Sequence, residues 1–88
     1  MLKKAIKLIE KGWCQGAEAR TKTGKPTSLR SKHATQYCLV GALEKCGLTD
    51  LCSSLNAEMF GACGKTLAEW NDSVTKEQVL ELLRSKLS

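Results

Sequence analysis

The sequence predicts an all-α fold: one helical domain over residues 1–88, a small bundle of four main helices. A long basic loop, at about residues 14–30, separates the first helix from the second. Three observations predict this. Apolar residues recur at helical spacing near both ends of the chain. No period-two run of β-branched residues is present, and helix formers such as Leu, Lys, Glu and Ala are plentiful. A chain of 88 residues can bury one modest core and fold without staples.

The first helix is expected over Leu2 to Lys11, because Leu2, Ala5, Ile6 and Ile9 share one face. Gly12 is read as the residue just past its end, free to take φ > 0. Trp13 then folds back onto the apolar face. From Cys14 to Arg30 the signals are those of a loop. Gly16 and Gly24 punctuate it, and Pro26 excludes a regular interior position. The alternative for Glu18 to Lys25 is a short β-hairpin. The second helix is expected from near Ser31 to just before Gly47. It is apolar all round from Tyr37 to Leu43, which marks a buried central helix. Gly41 costs about 1 kcal/mol against Ala in an exposed helix. Close approach of a neighbouring helix or an indole ring is the expected return.

The third helix is expected to begin at Thr49 or Asp50, either of which can cap it. Leu51, Cys52, Leu55 and Met59 form its inner face, and Gly61 and Gly64 end it. Thr66 and Glu69 read as a capping box that opens a single helical turn into Trp70. The last helix has the clearest start. Thr75 is the N-cap, Gln78 its box partner, and Val74 and Val79 have the spacing of a hydrophobic staple. Val79, Leu80, Leu83 and Leu87 are expected on its inner face, with Leu82 adjoining.

Charge is uneven. Met1 to Lys32 carries a balance of +7, and His33 to Ser88 a balance of −2. Between Arg20 and Lys32 lie five bases and no acid. Clustered Lys and Arg attract acidic surfaces or phosphates. Arg20, Lys22, Lys25, Arg30 and Lys32 are therefore the expected partner-binding residues. The run lacks interleaved aromatics, which argues against stacking on a single strand. The last helix mixes Lys76, Gln78, Arg84 and Lys86 with Glu77 and Glu81, a poor face for a polyanion.

Five cysteines cannot all pair within one chain. Lys7 and Glu10 interrupt the first apolar stretch, so no signal-peptide core is read there. No stretch approaches transmembrane length. The expectation is a cytoplasmic protein with reduced thiols, not bound to a membrane. His33 and Cys38 lie about 140° apart on a helix and would not meet. No zinc-ligand spacing, Walker loop or nucleophile elbow is present. No catalytic residue, metal or cofactor is assigned.

Both tryptophans and the single tyrosine stand beside amide and carboxylate side chains. Trp13, Gln15, Tyr37, Trp70, Asn71 and Asp72 read as a structural clamp, since a side-chain amide can satisfy a backbone N–H and a C=O at once. Asp72 is expected just before a helix start, where a carboxylate suits the exposed N–H groups. The alternative is a small-molecule pocket or enzyme around Gln15, Asn71 and Asp72, walled by the three aromatic rings.

Trp13, Gln15, Gly16, Tyr37, Cys38, Gly41, Trp70, Asn71, Asp72 and Thr75 carry a resemblance. The chain resembles a family of small uncharacterised bacterial and phage domains. Its members show W-x-Q-G-x-x-A, W-C-x-x-G-A-L, W-N-D and T-x-x-E/Q-V-L in that order. Tyr37 stands where the family has Trp, and Thr21 where an Asp often follows Ala-Arg. The resemblance implies a compact helical fold and no transferable activity. Its phage members suggest an accessory protein that binds or inhibits a host defence or nucleoprotein complex. The expected function is a small non-enzymatic binding protein that meets an acidic protein surface or a nucleoprotein complex through its basic face. A nucleic-acid-binding module is the first alternative.

Overall fold

The computed structural model describes residues 1–87. Five helices and a three-stranded antiparallel sheet alternate along them. This corrects the all-α, four-helix expectation to a mixed α/β fold.

Helix α1 spans Leu2–Lys11 and buries Ala5, Ile6 and Ile9 on one face. Gly12 follows at φ −168°, an extended conformation and not the expected left-handed one. Its lack of a side chain serves packing instead. A Cβ there would overlap the Thr35 carbonyl oxygen. The extended backbone lets the Gly12 carbonyl accept from Tyr37 N–H at 2.9 Å. Cys14 N–H in turn donates to the Tyr37 carbonyl at 3.2 Å.

The sheet fills much of the expected loop. Strands β1 (Ala19–Thr21), β2 (Pro26–Thr27) and β3 (Ala34–Tyr37) lie in the order β2-β1-β3. Pro26 sits on an edge strand, where a missing N–H is tolerated. Gly24, at φ 88°, makes the turn from β1 to β2. Ala19 faces Tyr37 and Thr21 faces Ala34, with a register shift between them.

The second helix is therefore shorter than expected. Helix α2 covers Leu39–Lys45, and the residues before it are strand and turn. Two non-local partners decide this. Residues 34–37 give their backbone groups to β1 and to Gly12 and Cys14. Cys38 is the N-cap, and its Sγ accepts from Gly41 N–H at 3.3 Å. Gly41 does permit a close approach, but the neighbour is the backbone of Glu18: a Cβ would overlap the Glu18 carbonyl oxygen. That same oxygen accepts from Cys38 N–H at 3.1 Å.

Helix α3 (Thr49–Cys63) has Leu48 as its N-cap, without a side-chain hydrogen bond, so neither Thr49 nor Asp50 caps it. Gly61 lies inside the helix, and Gly64, at φ 71°, ends it. The box of Thr66 and Glu69 opens a full helix, α4 (Leu67–Ser73). Asn56 Oδ1 also accepts from Leu67 N–H at 2.7 Å, which ties α4 to α3. Helix α5 (Lys76–Ser85) starts with the box of Thr75 and Gln78. Leu87 lies beyond it and is exposed, not part of the inner face.

Helix α1 packs on α2 and α5, and α2 packs on α3 and α4. Ile9, Leu39, Leu43, Leu55, Leu67, Val79 and Leu83 are fully buried between them. Burial stabilises each such side chain by about 1.5–3 kcal/mol. Among the described residues, no helix is long and apolar enough to cross a membrane.

Candidate functional site

Asn71 is the one polar residue of the described chain classed with the buried core, at 0% exposure. It sits on α4 and reaches three separate segments. Its Oδ1 accepts from Trp13 Nε1–H at 2.8 Å and from Leu39 N–H at 3.0 Å. Its Nδ2 donates to the Cys14 carbonyl at 3.2 Å and to Asp72 Oδ1 at 3.1 Å. Every hydrogen-bonding position of the amide is used. Leu39 N–H is the first donor of α2 and has no partner within its own helix. Asn71 supplies that partner from α4.

Two neighbours extend the clamp. Gln15 Nε2 donates to the Asn71 and Val74 carbonyls, both at 3.1 Å. Asp72 Oδ1 also accepts from Gly16 N–H at 3.0 Å. Asp72 lies in the last turn of α4, not in a connection before a helix. Its partners are the loop N–H and the Asn71 amide. Together these bonds pin residues 13–16 to α4 and α2.

The aromatic side chains part company. Trp13 belongs to the clamp. The buried Tyr37 donates from its hydroxyl to the Ala34 carbonyl at 3.4 Å and gives Asn71 no hydrogen bond. Trp70 lines a different groove, of about 310 Å³, between α4 and α5. A second cleft, of about 240 Å³, lies beside Gly16, Glu18, Cys38 and Asp72.

The five basic residues also divide. The Arg20 guanidinium is spent within the fold. Its Nε and Nη2 donate to the Gln15 carbonyl at 3.2 and 2.9 Å, and Nη1 donates to the Gly24 carbonyl at 2.9 Å. It braces the hairpin turn against the clamped loop. Lys22 and Lys25 are exposed in that turn, and Arg30 and Lys32 in the next. Among the described residues the ion pairs are Arg84–Glu10 at 2.7 Å and Lys86–Glu58 at 3.2 Å. Lys22, Lys25, Arg30 and Lys32 have no such partner.

The cysteines are free thiols, and Cys14, Cys38 and Cys46 are buried. Burial pushes the Cys14 thiol up to about 11, helped by nearby Cys38 and Asp72 and opposed by Arg20. Burial raises Cys38 too, against the pull of the Gly41 and Val40 N–H groups. A thiol held protonated is a poor nucleophile. His33 is exposed in the turn before β3, and Cys38 is buried at the start of α2.

Sequence reasoning missed two roles. Cys38 acts as a helix cap, although thiols rarely serve as one. Arg20 acts as a brace, although its position in a basic run suggested a free charge. The Gly16 and Gly24 turns on either side of Arg20 were the available signal, since turns present carbonyls to a nearby donor.

The fold and the clamp define a small mixed α/β domain that carries a braced basic hairpin on a helical core. The chain belongs to DUF6197, a family of unknown function, whose model matches residues 1–85. No curated protein and no solved structure matches it.

Proposed function

We propose that this is a non-enzymatic binding protein of the cytoplasm. It meets an acidic partner surface, on a protein or a nucleoprotein complex, through the basic hairpin and the turn that follows. One observation carries the reading. Lys22, Lys25, Arg30 and Lys32 are exposed and, among the described residues, carry no ion pair. Unneutralised cations steer an acidic surface into encounter. The Arg20 brace ties the hairpin turn to the loop that Gln15 and Asp72 each fasten to α4, which holds the hairpin before a partner arrives and lowers the ordering cost of binding.

The closed hydrogen bonds of Asn71 favour this over a ligand pocket at Gln15, Asn71 and Asp72. Free thiols suit a reducing compartment. An accessory role that inhibits a host defence or nucleic-acid complex rests on the resemblance to phage domains.

The test is capture of partners from the native host by tagged protein, with and without nuclease. A variant with Lys22, Lys25 and Arg30 reversed to Glu serves as the control. The reading expects a nuclease-resistant partner that the variant loses. It also expects negligible duplex DNA binding at physiological salt. Tight duplex binding with a steep salt slope would transfer the assignment to a nucleic-acid module.

A further inference from the structure

The groove between α4 and α5 is lined by no residue of the basic hairpin. Its walls include the half-buried Trp70, the aliphatic Leu82, and the polar ends of Gln78 and Glu81. Its volume is about 310 Å³.

Three polar groups in it are unspent among the described residues. The Trp70 indole N–H has no acceptor, in contrast to Trp13. The Glu81 carboxylate has no ion pair or hydrogen bond. Gln78 uses its Oε1 in the Thr75 capping box, at 3.0 Å from Thr75 N, and leaves its Nε2 donor unused.

Glu81 is the charged residue among those that line the groove. Glu69, Asp72, Glu77 and Glu81 are exposed on α4 and α5. The cations of α5 and its C-terminal end are engaged elsewhere, while Lys65, just before α4, is exposed. Lys76 Nζ donates to the Glu10 carbonyl at 2.8 Å, Arg84 pairs with Glu10, and Lys86 pairs with Glu58. A chain of net charge +5 thus leaves an uncompensated carboxylate beside an aromatic wall.

We propose that this groove binds an arginine side chain from a basic peptide segment of a partner. A guanidinium is flat, weakly hydrated and rich in donors. It can stack on the Trp70 indole face while donating to the Glu81 carboxylate. The Trp70 Nε1 and Gln78 Nε2 donors then suit a carbonyl oxygen of the peptide backbone. A lysine would keep the charge contact and lose the planar stacking. An acidic segment would meet Glu81 and its neighbours and be repelled.

The test is a two-dimensional amide and indole NMR titration of the full chain. The probe is a capped hexapeptide containing two arginines. Matched lysine and glutamate hexapeptides are the controls. The Trp70 indole and the amides of residues 78–85 are expected to shift saturably with the arginine peptide and less with lysine. The glutamate peptide is expected to leave them unmoved. Glu81→Gln, a surface change verified by an unaltered melting curve, is expected to weaken arginine binding about threefold to fivefold, the ratio that an exposed charge contact supports. Absence of saturable shifts at the groove overturns the proposal. So does equal binding by Glu81→Gln, or an equal response to the glutamate peptide. None of these outcomes bears on the basic hairpin, which is probed by its own charge reversals.

Discussion

Replacing Asn71 with Ala is expected to remove much of the protein's stability, and the structure sets the scale. The substitution deletes the acceptor of Leu39 N–H and Trp13 Nε1–H and the donor to the Cys14 carbonyl. Trp13 is half-buried and can turn toward water. The Leu39 and Cys14 backbone groups lie in buried residues and have no substitute. Each orphaned group costs about 1–3 kcal/mol, so a loss of about 3–5 kcal/mol is expected. A chain of 88 residues holds about 4–13 kcal/mol in total, from the usual stability per residue. The melting temperature should fall by about 12 °C or more. Urea unfolding followed by circular dichroism measures the loss directly. Asn71→Asp sharpens the test. It keeps the acceptor for Trp13 and Leu39, but it removes the donor to Cys14 and sets a carboxylate against Asp72. It should also destabilise. A loss below about 1 kcal/mol in Asn71→Ala, at unchanged urea slope, would refute the clamp.

Other outcomes follow from particular contacts. Gly41→Ala should cost about 1–3 kcal/mol, because its Cβ meets the Glu18 carbonyl. Gly61→Ala, where a Cβ meets open space inside α3, should gain about 0.5–1 kcal/mol; comparing the two urea midpoints checks the pair. Reversing Lys22, Lys25 and Arg30 to Glu should cost within about 0.5 kcal/mol each and should abolish salt-dependent partner binding, read by titration at two ionic strengths. Alkylation at mildly basic pH should label the exposed Cys63 first and leave Cys14, Cys38 and Cys46 protected, resolved by mass spectrometry. The Cys14 proton gives stability a pH dependence. The folded thiol ionises near 11 against an ordinary value of 9.0, so the unfolded chain loses the proton first. This contribution is complete below about pH 9 and is lost between about pH 9 and 11; melting curves across that window should show the decline.

The features that were legible in the sequence are those whose causes lie within a few residues. Helix α1 was readable from one apolar face, and its observed bounds are the expected ones. The boxes at Thr66 and Thr75 were readable because each closes between a hydroxyl and an amide or carboxylate three residues away. Trp13, Gln15, Asn71 and Asp72 were legible as polar residues beside an aromatic, whereas Tyr37 and Trp70, expected with them, take no part in the hydrogen-bonded clamp. The wiring of the clamp was not legible, because Asn71 and Trp13 are 58 positions apart in the chain.

The sheet shows why local pattern misled. Residues 31–46 carry helix formers and, apart from Gly41, no breaker, so helix was the expectation for the whole stretch. Strand β3 exists because Ala34–Tyr37 can trade its backbone groups with β1 and with Gly12 and Cys14. Helix α2 begins at Leu39 because an amide from α4 caps its first N–H. The charge of the basic run was plain from composition, yet only the folded chain spends Arg20 on two carbonyls and leaves Lys22, Lys25, Arg30 and Lys32 outward. Sequence alone determined the local starts, the apolar faces and the sign of the surface charge, since each depends on near neighbours and residue type. Tertiary structure decided strand against helix, brace against free charge, and which indole is hydrogen-bonded. Each of those depends on a partner that the chain meets only after it has folded back on itself.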